Sequence, residues 1–153
     1  MQECARVILI SPRVRVLLMR TRVWDGDLWV TPGGRIHNGE DARTAALREM
    51  HEETGLKGID LGPELWIREW EFEKQDGQRA PQREHFFLVR HREFDPTEYG
   101  MGQDERNVHQ EYRWWGISDI ETSGQRFAPP QIADLMRDLE REGPPRTPVL
   151  LVG

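Results

Sequence analysis

The stretch from Gly34 to Leu56 constrains this chain more than any other. It reads Gly34-Arg35-Ile36-His37-Asn38-Gly39-Glu40, then seven residues, then Arg48-Glu49-Met50-His51-Glu52-Glu53-Thr54-Gly55-Leu56. Pro32, Gly33, Gly34 and Gly39 give the front half turn character. From Asp41 onward Ala42, Ala45, Ala46, Leu47, Arg48 and Glu49 are good or fair helix formers. Asn38 and Asp41 are candidate caps for the start of this helix, and Gly55 sits where a C-terminal glycine would close it. On a 3.6-residue period Glu49, Glu52 and Glu53 share a face beside the small Ala45, while Ala46, Leu47 and Met50 lie on another side and are expected to pack inward.

Three acids at that spacing repel one another by a few tenths of a kcal/mol or so per close pair. A solvated acidic face with Arg48 as counter-charge is the bland explanation. A hard divalent cation is the other, because Mg²⁺ accepts carboxylate oxygens and keeps waters for a phosphate substrate. The identities decide between them. Gly34, Glu40, Arg48, Glu49, Glu52, Glu53 and Gly55, with aliphatic residues at 50 and 56, form a pattern whose chance occurrence in a chain this short is below about one in ten million at average composition.

The pattern resembles the Nudix box of the Nudix hydrolases at every defining position, and the flanking pattern resembles the family over most of the chain. The resemblance implies an α+β fold, an α/β/α sandwich on a central mixed sheet, as one domain over residues 1–153. It implies an Mg²⁺-dependent pyrophosphohydrolase, with Mn²⁺ as a substitute, cleaving the diphosphate of a nucleoside diphosphate linked to another moiety. That moiety can be further phosphate, ADP-ribose or another nucleotide sugar, or a dinucleoside polyphosphate. Carried over by position, Glu49, Glu52 and Glu53, with Gly34, hold the metals. Arg48 orients the acids, and Gly34 and Glu40 shape the loop. A nucleotide-binding regulator on the same fold is the alternative, although such domains usually lose box acids and none is missing here. A prenyl diphosphate isomerase on this fold needs a mid-chain cysteine, and the sole cysteine is Cys4.

The family's general base varies between a box glutamate and an acid from a later loop. Asp104, Glu105 and Glu111 are the late candidates, with Glu111 or Glu105 expected near the metals and a surface role as the alternative. Candidate substrate contacts are Arg22, Trp24, Arg35 and Glu84. Arg22 can meet phosphate, and Trp24 and Trp29 can stack on a base, against a core role for the same rings. The five histidines lack any zinc spacing and are expected to be structural or exposed.

The 153 residues suit one domain, and the 37 % apolar and 31 % charged content is globular. A net charge of −6 argues against a broad nucleic-acid surface and leaves room for a local phosphate pocket. One cysteine allows no internal disulfide, and no apolar run reaches the roughly 20 residues of a membrane span. The expected setting is cytoplasmic, the expected partner a small-molecule nucleotide, and the expected assembly a monomer or homodimer.

Strands are expected over Ala5–Ile10, Val14–Met19, Leu28–Thr31, Leu65–Glu73, Glu84–Arg90 and Tyr112–Ile117, with a hairpin turn at Gln75–Gln78. Within Leu65–Glu73 the apolar phase switches between odd and even positions, a pattern that a bulge would accommodate. Phe94 to Asn107 reads as a loop. A short helix or turn starts at Ser118, and a longer helix follows Pro129-Pro130 and runs to Glu142. Val149–Val152 reads as an edge strand or a dimer contact.

Overall fold

The computed structural model describes residues 1–96 and 109–152. The chain runs β1 (Gln2–Ile10), β2 (Arg15–Val23), β3 (Gly26–Val30), β4 (Gly33–Arg35), α1 (Ala42–Thr54), β5 (Glu64–Glu73), β6 (Arg79–Arg90), β7 (His109–Gly116), α2 (Ile117–Thr122), β8 (Phe127–Ala128), α3 (Ile132–Glu142) and β9 (Val149–Leu151). The strands form a mixed sheet in the order β8-β3-β2-β1-β6-β5-β9, with β4 paired to β1 and β7 paired to β2. The β1–β6, β3–β8 and β5–β9 pairs are parallel, and the others are antiparallel.

The sheet is two groups of strands joined at one point. Strands β1 and β2 are registered only at Ile10↔Val16 and then diverge. Along its length β1 pairs instead with β6 and β4, and β2 pairs with β7 and β3. The divergence opens a cleft between the groups. Helix α1 covers one side through a cluster that includes Ala5, Val7, Leu9, Leu17, Ala45, Ala46, Met50 and Phe87. Helices α2 and α3 cover the other side over Ile8, Ile10, Val16, Leu18, Phe86 and Leu88. This is the expected α/β/α sandwich.

Two local expectations are corrected. Leu47 does not pack inward: it is 39 % exposed, while Ala45, Ala46, Met50, Glu53 and Thr54 are the buried residues of α1. The switch of apolar phase expected in β5 is present, at the start of the strand. A register irregularity between Glu64 and Trp66 lets Leu65 and Trp66 both enter the core. Beyond it the even positions Arg68, Trp70 and Phe72 stay in one phase, and Glu69, Glu71 and Glu73 stay in the other. The segment 33–35, read as turn, is a short strand, because Gly33 and Gly34 let it lie flat against β1. Trp29 is core, 2 % exposed and edge-on to Trp115.

The inward face of α1 can be checked by truncation. Met50→Ala is expected to cost about 2–5 kcal/mol by emptying the space under the helix. Leu47→Ala is expected to cost less than about 1 kcal/mol, as a surface change does. Denaturant melts that ranked the two the other way would refute this orientation of α1.

Candidate active site

Helix α1 starts cleanly because the Asp41 carboxylate accepts the Thr44 N–H at 2.8 Å, and it stops because Gly55 turns left-handed, φ 83°, donating to the His51 carbonyl. Those ends fix which residues face Gly33 and Gly34. Glu53 is 9 % exposed, and its Oε1 accepts the Gly33 N–H at 3.0 Å. Glu49 lies against Gly34 so closely that a Cβ there would stand 2.6 Å from Glu49 Oε1. Glycine at 33 is needed for a different reason. Its φ is +148°, and a Cβ would sit 2.2 Å from the Ala5 carbonyl oxygen.

Arg48 ties the acids to the loop. Its Nε and Nη2 grip both oxygens of Glu40 at 2.7 and 2.9 Å, and Nη2 also donates to the Arg35 carbonyl at 3.0 Å. Its Nη1 reaches Glu49 at 3.0 Å and Glu52 at 3.3 Å. Glu40 also accepts the His37 N–H at 2.9 Å. The Arg48 guanidinium and that N–H hold the Glu40 carboxyl down at about 2. Glu49 moves the other way. Burial, and then the charge of Glu53 beside it, push it up to about 7 against the pull of Arg48.

The structure thus brings Arg48, Glu49, Glu53, Gly34 and Glu40 together, with Glu52 on the rim, its side chain 54 % exposed and turned to Arg48. Among the described residues no group of three metal-ligating side chains converges. The converging pair is Glu49 and Glu53, all-oxygen donors whose mutual repulsion lifts Glu49. A hard cation relieves that repulsion, and one or two carboxylates plus water and phosphate are what Mg²⁺ takes. The residues fit the ion.

The other expected site residues are placed elsewhere. Glu111 is not beside the acids. Its carboxylate pairs with Arg20 at 3.1 Å, while the adjacent Tyr112 turns toward α1 and donates its hydroxyl to the Glu53 carbonyl. Neighbouring strand residues point to opposite faces, so Glu111 faces away from the helix. Asp104 and Glu105 lie outside the described residues. Arg22 is exposed and paired with Asp27 at 3.1 Å, out of phase with its neighbours Thr21 and Val23, which line the cleft. The exposed Arg35 side chain holds Gln2 at 3.1 Å. Glu84 does line the cleft, 4 % exposed, with its two oxygens on Arg6 (3.0 Å) and Arg68 (3.1 Å).

The cleft holds about 320 Å³ and begins at Gly33 and Thr31, beside the acids. Trp70, Phe72, Gln82, Glu84 and Arg6 wall it from one group of strands, and Thr21, Val23, Leu28 and Val30 from the other. It shares Val23, Leu28, Trp70 and Phe72 with an outer groove reaching Arg126 and Trp24, which is 55 % exposed. Arg6 and Arg68 were not singled out in the sequence. The signal for Arg6 was a single charge within the apolar run Ala5–Ile10, whereas Arg68 lies beside Glu69 in a strand with four acids and carried none.

The NUDIX domain family model matches residues 2–138. The chain belongs to the Nudix family. The RNA pyrophosphohydrolase of Sphingopyxis alaskensis is 31 % identical over 137 residues, covering 78 % of each chain. The RNA pyrophosphohydrolase of Cereibacter sphaeroides is 37 % identical over 138 residues, again 78 % of each. Among solved structures the MutT protein from Methanosarcina mazei Go1 aligns with a TM-score of 0.68 at 19 % identity, covering 92 % of this chain and 94 % of that one, which shows the shared fold. With the family shown and the box complete, the chain is a Nudix hydrolase. Among the described residues no helix is long and apolar enough to cross a membrane.

Two measurements test this geometry. Arg48→Ala should weaken metal binding by about 10–100-fold, because the groups that orient Glu49 and Glu52 are lost. Isothermal titration with Mn²⁺ reads this, and unchanged affinity would refute the orienting role.

The second is the stability of metal-free protein against pH. Glu49 has its folded pKa raised, so the folded state binds the extra proton and stability falls as pH rises from about 4.5 to about 7. Glu40 has its folded pKa lowered, so its contribution is present above about 4.5 and lost as pH falls toward about 2. In EDTA, Glu49→Gln should flatten the first slope and leave the second, whereas Arg48→Ala should flatten the second. An unaltered slope between 4.5 and 7 in Glu49→Gln would show that Glu49 is not the titrating group.

Proposed function

We propose that this Nudix hydrolase is a divalent-metal-dependent pyrophosphohydrolase that cleaves a phosphoanhydride in the 5′-polyphosphate of a nucleotide, with 5′-polyphosphorylated RNA as the favoured substrate. One observation carries the proposal: the Glu49–Glu53 pair lies at the Gly33 end of a cleft that continues between Trp70 and Phe72 on one wall and Leu28 and Val30 on the other. A polyphosphate at the acids and a base between apolar walls use both ends. RNA is favoured over a sugar nucleotide because the similar curated relatives are RNA pyrophosphohydrolases. In RNA the phosphoanhydride occurs only in the 5′-polyphosphate. The outer groove gives a following nucleotide a way out past the exposed Trp24 ring, a stacking platform of the kind single strands use.

Glu49, Glu53 and Glu52 would hold Mg²⁺, which when bound supplies an acidified water and neutralises phosphate charge. The protein's own groups set the positions. Gly33 and Gly34 carry no side chains, so the Glu53 and Glu49 carboxylates lie directly against their backbone. The Gly33 N–H fixes Glu53, and Arg48 fixes Glu49 and Glu52. Glu111 faces away, so the proton of the attacking water goes to a box carboxylate or to an acid of the segment 97–108, which contains Asp104 and Glu105.

The test is a panel of 5′-triphosphorylated RNA, free nucleoside triphosphate, ADP-ribose and diadenosine tetraphosphate, with Mg²⁺, Mn²⁺ or EDTA. Products are weighed by mass spectrometry in oxygen-18 water. The expected result is metal-dependent release of phosphate or pyrophosphate from the RNA end, no turnover in EDTA, and unchanged circular dichroism. Preferential cleavage of ADP-ribose would overturn the substrate class, and turnover after exhaustive chelation would overturn the metal requirement. Binding without turnover of any member would favour the regulator instead.

A further inference from the structure

Three charged side chains form a row across the floor of the cleft. Glu84 on β6 accepts from Arg6 on β1 and from Arg68 on β5, at 3.0 and 3.1 Å. Arg68 is its direct cross-strand partner and stacks on the Trp70 ring, 4.3 Å from the centroid. The row divides each strand in two. On one side Ile8, Phe86 and Trp66 enter the core under α3, and on the other Gln82, Trp70 and Phe72 line the cleft. Buried ion pairs contribute little net stability relative to apolar packing, so stability alone does not account for the row.

Arg6 has the geometry of a donor held ready. Its Nε is fixed by Glu84 and its Nη1 donates to the Thr31 carbonyl at 3.2 Å. Its side chain is 18 % exposed and lines the cleft. An arginine has five N–H donors. Those of Arg6 not used by these two bonds have no partner among the described residues. Its cross-strand neighbour is Gly33, whose N–H holds Glu53. Burial pulls the Arg6 guanidinium down, and the negative charges of Glu84 and Glu53 outweigh that and leave it above its ordinary range, so it stays a cation. Along the cleft Arg6 therefore stands between the metal end and the aromatic walls.

We propose that Arg6, locked by Glu84 and Thr31, binds the phosphate attached to the nucleoside, the one lying between the metal-bound end of the polyphosphate and the base. This rests on the nucleotide reading of the cleft. A planar guanidinium offers a phosphate two parallel N–H groups, and the Glu84 anchor spares Arg6 the loss of rotamer freedom on binding. Glu84 and Arg68 are positioning residues: they hold Arg6 and do not touch the substrate.

Nucleoside 5′-monophosphates carry this phosphate and no phosphoanhydride, so their binding can be measured in EDTA without hydrolysis. The probes are AMP, GMP, CMP and UMP, each against its nucleoside, by isothermal titration. In the wild type at least one monophosphate is expected to bind about tenfold or more tighter than its nucleoside, the scale of a hydrogen bond to a charged group. Arg6→Gln is expected to abolish that difference and leave nucleoside binding unchanged. Arg6→Lys, which keeps the charge and the fold but not the fork, is expected to retain part of it. The wild-type comparison needs no variant, so a variant that fails to fold does not protect the proposal. No preference for monophosphate in the wild type, or a preference that survives in Arg6→Gln, overturns it. Neither outcome bears on turnover with Mg²⁺, which tests the hydrolase reading separately.

Discussion

The contact between the α1 carboxylates and the side-chain-free backbone of Gly33 and Gly34 is the constraint on which the rest depends. Glu53 takes the Gly33 N–H, and Glu49 occupies the space a Cβ at Gly34 would need. For this to happen α1 must lie close on β1 and β4, so its inward positions are Ala45 and Ala46 rather than larger residues. It must also stop in register, which the Asp41 and Gly55 caps ensure. Arg48 then joins the far side of the acids to Glu40 and the Arg35 carbonyl, closing the loop over the helix. The metal-free protein tolerates the repulsion of Glu49 and Glu53 because Met50, Ala45 and Ala46 supply the packing that holds α1 down. The energy held in that repulsion is recovered on binding a cation.

The split of the sheet is the second constraint. Had β1 and β2 stayed paired beyond Ile10↔Val16, their side chains would have filled the space now open between Trp70 and Leu28. Instead β4 takes the β1 edge and β7 the β2 edge, so both strands keep their hydrogen bonds while diverging. The glycine strand β4 thus lies at the mouth of the cleft and under the acidic helix at once.

How far this was legible in the sequence follows from the range of each interaction. The box identities, the Asp41 and Gly55 caps and the hairpin at Gly77 are local, and local chemistry announces itself. The orientation of α1 is not local. On a helical wheel Leu47 is as good an inward residue as Met50, and only the demand that Glu49 and Glu53 meet Gly33 and Gly34 rotates it outward. Glu111 was misplaced for the same kind of reason: a one-residue change of phase on a strand moves a side chain to the other face, and the identities around Tyr112 do not reveal the phase. Arg6 has no local signature as a site residue, because its carboxylate partner is 78 residues away in the chain.

The overall charge of −6 and the proposed polyanionic substrate are reconciled by distance. At physiological salt the interaction of exposed charges fades beyond about 8 Å. Many of the surface acids are in addition matched locally, as Glu121 is by Arg137 and Glu69 by Arg83. What a phosphate chain meets in the cleft is set by the groups within that range. On this reading they are a cation on Glu49 and Glu53 and the Arg6 guanidinium that Glu84 holds in the cleft. The acidic surface then works as selection: a long nucleic acid gains little by lying on it, and only an end that can enter the cleft brings its charge near the compensating groups. Net charge thus argues against a broad nucleic-acid surface while leaving recognition of a 5′-end open, and the two statements concern different length scales.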